Sequence, residues 1–226
     1  REKKVEKKKK RKRREKMGLF IVFDGIDGSG KTTVARAIAK YLEKKGFEVF
    51  LTHEPSDSAS GKKIRELLRK KSSQKFDRKF WITLFTLDRI EHINKFILPK
   101  LERKKAVVIC DRYYYSTLAY QLNENEWKKY LCKYGFLKPH IAFLLDVHPS
   151  IAIRRIERVK ADKKTIFERE QFLQKVRRKF LKIYKAKNLF KENLFLIDAN
   201  QPIEKVFSDV KKIIKAQMEK IEKNEK

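Results

Sequence analysis

From Gly25 to Thr32 the chain reads Gly-Ile-Asp-Gly-Ser-Gly-Lys-Thr, a set of residue types suited to gripping phosphate. Glycines let a backbone wrap closely around a tetrahedral anion, and the N–H groups of such a turn point fixed donors at its oxygens, helped by the positive end of a following helix. Lys31 adds a cation for the outer phosphates of a nucleoside triphosphate, and Thr32 a hydroxyl for an accompanying Mg²⁺. The pattern GxxxxGK[ST] carries this meaning only between a strand and a helix. That context is met: apolar Leu19 to Phe23 precedes it, and Thr33, Val34 and Ala35 open a helix-forming segment. Gly25, Ile26, Asp27, Gly28, Ser29, Gly30, Lys31, Thr32 and Thr33 are therefore expected to bind ATP. Such a loop says nothing about what receives a phosphoryl group.

The elements that must hold this loop are written in five apolar runs, Leu19 to Phe23, Val49 to Leu51, Ala106 to Cys110, Ile141 to Val147 and Leu194 to Ile197. They are continuous rather than alternating, as strands buried on both faces of a parallel sheet require. Segments with helical spacing lie between them, for example Leu173, Val176, Phe180 and Tyr184, then Ile203, Val206, Val210, Ile213 and Met218. Alternating strands and helices with right-handed crossovers predict an α/β fold: a three-layer P-loop NTPase domain, its five-stranded parallel sheet flanked by helices. Breaker residues cluster at Gly25 to Gly30 and at Glu54 to Gly61, each after a strand, where open α/β sheets gather ligands.

Composition narrows the classes. The chain has 226 residues, enough for one well-cored domain, and a formal net charge of +30. Residues 1–16 hold twelve Lys or Arg against three Glu, too little apolar content to fold alone, and are expected to form a disordered tail ahead of a single domain at 17–226. Such a tail can attach nucleic acid, direct nuclear import, or be an upstream extension before Met17. Cys110 and Cys132 lack metal-ligand spacing and read as reduced thiols. With no apolar stretch of membrane-spanning length, a soluble, cytoplasmic protein without a membrane role is expected.

The segments FIVFDGIDGSGKTT, THEPSDSASGKKIRELL, LFTLDRIEHI, VVICDRYYYSTLAYQ, LLDVHPSIAIRRI and IDANQPIEKV follow one another as in thymidylate kinases, and from about Met17 onward the chain resembles that family. The resemblance implies transfer of the γ-phosphoryl group of ATP to dTMP with Mg²⁺, by a homodimer; nucleic acid can bind through the basic tail but is not expected for the function. Arg112, at the end of the third strand, would join Lys31 in neutralising the transferred phosphoryl, and permanently charged planar donors suit that task. Asp111 would share the Mg²⁺ site with Thr32. Phe85 and Arg89, four apart on one helix face, would stack on thymine and hydrogen-bond it. Thr117 and Gln121 would meet the pyrimidine edge, Tyr120 the sugar, and Glu54 and Pro55 would border the monophosphate. Arg65 matches an arginine of the base pocket, though a solvated helix face suits it equally. Asp27 would bind the 3′-hydroxyl, a second duty that explains an acid inside a phosphate loop.

Residues of about 153–166 resemble a mobile lid over ATP, and Asn200 a loop near adenine. Gly28 stands where some members of the family carry a catalytic arginine, so the resemblance assigns the missing cation to the lid, first to Arg158 and second to Arg154. Asp24 replaces a common Glu. Asp57-Ser58 replaces a common turn, and His53 replaces the arginine of the usual Arg-Glu-Pro triplet, a change expected to weaken dTMP binding or shift acceptor preference.

Overall fold

Five strands pair in parallel in the order β2-β3-β1-β4-β5, namely β1 (Leu19–Gly25), β2 (Glu48–His53), β3 (Ala106–Asp111), β4 (Ile141–Asp146) and β5 (Leu194–Asp198). The computed structural model describes residues 18–70, 75–157, 163–190 and 192–224; the basic segment 1–16 and Arg158 lie outside them. The three inner strands are as buried as their unbroken apolar runs require: Phe20, Ile21, Val22 and Phe23 of β1 and Val107 to Cys110 of β3 are fully covered. The expectation of two buried faces fails for β2. It forms an edge, its residues are half-buried or exposed, and Leu51 is 41% exposed. Strand order is a tertiary outcome, and three apolar residues read alike at an edge and in the middle.

Helices cover both faces. In chain order these are α1 (Lys31–Glu43), α2 (Ala59–Arg69), α3 (Arg78–His92), α4 (Leu98–Leu101), α5 (Tyr114–Gln121), α6 (Glu124–Tyr134), α7 (Pro149–Glu157), α8 (Lys163–Lys185) and α9 (Ile203–Asn224). Between α3 and α4 the helix widens to a π turn at Ile93–Ile97. Local chemistry sets several ends. The side chain of Asp77 caps α3 by accepting from the N–H of Phe80 at 2.7 Å, and Asn123 with Glu126 forms a capping box on α6. The core is aromatic-rich: Phe23 stacks on Phe143 at 5.1 Å across β1 and β4, and each such buried ring contributes about 1.5–3 kcal/mol through the apolar surface removed from water. Of the long helices, α8 buries Leu173, Val176 and Phe180 as its spacing predicts, and α9 buries Val206, Val210 and Ile214, while Ile203 stays 38% exposed.

This order places β1 and β3 side by side, with Phe23 in register with Asp111. The loop after β1 and the turn after β3 therefore open into the same crevice at the carboxyl end of the sheet.

Candidate active site

Two cavities occupy that crevice, and Asp27 and Arg112 line both. The first, of about 720 Å³, follows the Gly-rich loop from Gly28 to Thr33, takes in Asp111, Arg155 and Ile156, and ends at Ala199, Gln201, Ile203 and Val206. Lys31 begins α1 and is buried. Its Nζ donates to the carbonyls of Gly25 at 3.1 Å and Ile26 at 2.7 Å, while burial and the charge of Arg112 push its pKa down to about 8. Gly28 lies at φ +77°, and a Cβ there would stand 2.4 Å from the carbonyl oxygen of Ala152 on α7. No side chain fits, so an arginine at this loop position is excluded by packing as well as by sequence.

Thr32 donates its hydroxyl to Oδ2 of Asp111. The other oxygen, Oδ1, is buried and has no hydrogen-bond partner among the described residues. A hydroxyl beside a carboxylate with a spare lone pair suits a hard, oxygen-seeking cation, so this pair fits Mg²⁺.

The wall between the cavities is built around Arg112, a non-glycine residue at φ +73°, a conformation that persists only where the surroundings enforce it. Its backbone N–H donates to Phe23 at 2.8 Å, Nη1 to Ser116 Oγ at 3.0 Å, and Nη2 to Asp27. Its guanidinium lies 5.7 Å from the Tyr120 ring centroid. Underneath, the buried carboxylate of Asp24 accepts from the N–H groups of Gly25, Tyr113 and Ser116 and from Ser116 Oγ, at 2.7–3.1 Å. It thereby ties the first phosphate-loop residue to the turn carrying Arg112. Burial raises the pKa of Asp24 against the opposing pull of Arg112 and Ser116. For Asp27, burial acts the same way, but the charges of Arg112 and Lys31 prevail and hold its carboxyl below the ordinary range. An acid inside a phosphate loop is thus offset by the arginine that shares its wall.

The second cavity, of about 520 Å³, has an aromatic and apolar side of Trp81, Phe85, Tyr120, Phe172 and Leu68 and a polar side of Glu54, Arg89, Thr117 and Gln121. Arg89 is wholly buried. It gives Nε and Nη2 to Glu54 Oε2 at 2.9 and 2.6 Å, Nη2 to Thr117 Oγ1 at 3.2 Å and Nη1 to the Tyr130 hydroxyl at 3.2 Å. Burial opposes its charge, yet Glu54 more than offsets that and raises its pKa. Losing either member of this pair would strand the other, a cost of about 3–5 kcal/mol. Oε1 of Gln121, a residue that lines this cavity, is buried without a partner among the described residues.

Most sequence-predicted residues converge here, and a few do not. Pro55 borders the second cavity, after a cis peptide bond from Glu54. Arg65 lines neither cavity: it donates to the carbonyls of Pro55 and Ser56 at 2.5 and 2.7 Å and pairs with Asp57 at 3.0 Å, bracing the turn from outside. His53 braces the same turn, its Nδ1 lying 2.8 Å from the Pro55 carbonyl oxygen. Asn200 spans the ends of β4 and β5, accepting from the N–H of His148 at 2.7 Å and donating to Asp198 at 2.6 Å, while its neighbours Ala199 and Gln201 line the cavity. Arg154 is exposed. The adjacent Arg155 faces the phosphate loop, donating to Gly28 O at 3.5 Å and Ala199 O at 3.0 Å. Sequence reasoning notes Asp24 only as a replacement for a common Glu, without its tie to the turn carrying Arg112, and passes over Arg155, Phe172 and Asp88. The last accepts from Ser56 N at 2.9 Å, Ser56 Oγ at 2.5 Å and Ser58 Oγ at 2.8 Å, and so anchors the Glu54 turn to α3.

Two cavities thus meet at one wall that carries Asp27 and Arg112. Residues 23–210 match the family model described as thymidylate kinase. The chain is 39% identical over 209 residues to a probable thymidylate kinase of Pyrococcus horikoshii, covering 89% of this chain and 98% of that one. It is 44% identical over 174 residues to a probable thymidylate kinase of Methanocaldococcus jannaschii, covering 75% and 84%. Against the thymidylate kinase of Onion yellows phytoplasma it is 34% identical over 211 residues, covering 87% and 97%.

Proposed function

Since the chain belongs to the thymidylate kinase family, we propose that it transfers the γ-phosphoryl group of ATP to dTMP, yielding dTDP and ADP. The observation that carries this reading is the wall common to the two cavities: Asp27 and Arg112 line both, so ligands filling them would bring two phosphate groups to the same guanidinium. ATP occupies the first cavity, its phosphates under the loop N–H groups and Lys31 and its base toward Ala199 and Gln201. Thr32 and Asp111 would hold Mg²⁺, which when bound would neutralise phosphate charge. In the second cavity the thymine lies against Phe85, meets Arg89, Thr117 and Gln121 along its edge, and directs its phosphate toward Arg112.

A phosphate oxygen of dTMP attacks the γ-phosphorus as the bond to the β-γ bridging oxygen breaks. The attacking group is already anionic and no general base is needed. Catalysis then consists of positioning and charge neutralisation, supplied by Lys31 and Arg112 and, from α7, by Arg155, with Arg158 and Arg154 as further lid cations. Asp27 and Tyr120, whose hydroxyl lies 3.5 Å from the acid, take the deoxyribose. Leu87 and Ile90, three residues apart and exposed on α3, support a homodimer. The deciding experiment is a coupled ADP-release assay across dTMP, dUMP, dCMP, dGMP and UMP. Preference for dTMP is expected, and no activity above background with it would sink the proposal.

A further inference from the structure

Arg89 can read a base only if its guanidinium is held at one angle, and the chain of contacts that fixes that angle runs past the cavity wall. Its four hydrogen bonds to Glu54, Thr117 and Tyr130 leave one of five N–H groups, on Nη1, unassigned. The strongest of its partners is Glu54, which sits on a loop beyond β2 and must itself be held. Oε2 is taken by Arg89. Oε1 faces His92, whose Nδ1 lies 3.4 Å away, and whose Nε2 lies 2.8 Å from Thr52 Oγ1 at the end of β2. His92 is buried three residues after Arg89 on α3, with the Phe96 ring 5.7 Å from it, and it lines neither cavity. The helix widens to its π turn at the next residue, a feature frequent beside functional sites.

We propose that His92 is a positioning residue for the acceptor base: it holds the Glu54 carboxylate, and through it Arg89, at the angle that recognises the ring. This rests on the second cavity being the dTMP site. A neutral imidazole has one N–H and one lone pair. Thr52 can donate to Nε2, which leaves Nδ1–H for Glu54. Cys110 Sγ is close enough to complete a three-ligand cluster with these two residues. However, Glu54 is committed to Arg89, burial holds the thiol neutral, and Sγ donates to Arg112 O at 3.0 Å. The group is therefore an anchoring chain and not a cation site.

The tautomer makes the idea testable in the full-length protein. In His92→Asn the amide nitrogen replaces Nδ1 and keeps the donor to Glu54. In His92→Gln it replaces Nε2 and keeps only the contact to Thr52. Steady-state kinetics with varied dTMP at saturating ATP should give a KM within about threefold of wild type for His92→Asn and about tenfold higher for His92→Gln and His92→Leu, with kcat changed little, the scale of one lost charge-assisted hydrogen bond. Equal KM values for the Asn and Gln variants, or an unchanged KM in His92→Leu, would overturn the inference. If His92→Leu fails to fold, the Asn–Gln pair still decides. A wild-type protein inert toward dTMP but active on another monophosphate would instead overturn the acceptor reading beneath it.

Discussion

Arg112 combines a left-handed backbone, an ion pair to Asp27 and a position on both cavities, which together make its planar fork hard to replace. Lysine carries the same charge at the same φ but only as a point, so Arg112→Lys should keep the fold and lower kcat about 10²- to 10³-fold, the range for losing one preorganised donor set at a developing charge. A thermal melt beside the ADP-release assay separates the two effects. Lys31 supports a prediction of a different kind. In the free protein its pKa lies at about 8, lowered first by burial and then by Arg112; a triphosphate in contact with it must raise that value. Well below pH 8 Lys31 is already charged, and ATP binding takes up almost no proton on its account. Above pH 8 the proton must be captured on binding, so ATP affinity falls as pH rises, by up to about tenfold per unit. Calorimetric titrations at pH 8.8 in buffers of different ionisation heat should register net proton uptake, and its absence there would show that Lys31 is already fully charged before ATP arrives.

Among the elements, the decisive contact is the one from β1 to the turn after β3. Asp24 receives four donors, two on each oxygen. Asparagine can accept at only one of those positions and would aim its NH₂ at N–H groups on the other. Asp24→Asn should therefore cost about 2–4 kcal/mol, seen as a melting temperature lower by about 5–15 °C. It should also lower kcat, because the turn that bears Arg112 is released; a stable variant with unchanged kcat would remove Asp24 from this role. The contact also shows where the sequence is legible. Its apolar runs gave the inner strands, and the Gly25 to Thr32 pattern gave the phosphate loop, because both signals are local. Asp24 meets Ser116 across 92 residues and Asp88 meets Ser56 across 32, and nothing local marks such partners. Arg154 and Arg155 differ by one position, yet a 100° step around α7 decides which faces Gly28. Asn200 resembles a residue of a binding loop whose cavity is lined instead by its neighbours Ala199 and Gln201, and Arg65, for which base pocket and solvated helix face both stand open in the sequence, braces the turn at Pro55 and Ser56, because spacing places a residue near a loop without fixing which side of it the side chain reaches.

For the molecule as a whole, the excess of cations over acids raises the question of what the charge accomplishes. Residues 1–16 bear twelve of the 59 basic residues and three of the 29 acidic ones, so most of the excess belongs to the remainder of the chain, which also carries the cleft proposed for two anionic nucleotides. Cations touching phosphate, as Lys31 and Arg112 would, act at contact and resist screening. Distant ones act only through the long-range field, which salt removes beyond about 10 Å at 0.1 M ionic strength. Raising KCl from 50 to 300 mM should therefore lower kcat/KM for dTMP several-fold and leave kcat within about twofold, since steering governs encounter and not transfer. Deleting residues 1–16 tests whether the tail shares in that field. The truncated protein is expected to show the same salt curve as the full chain, while its retention on an immobilised polyanion such as heparin falls and the slope of its single-stranded DNA affinity against salt becomes shallower. Should truncation alone bring low-salt kcat/KM down to its high-salt value, the tail would belong to substrate capture, and the twelve cations at the N-terminus would have to be counted with the cleft.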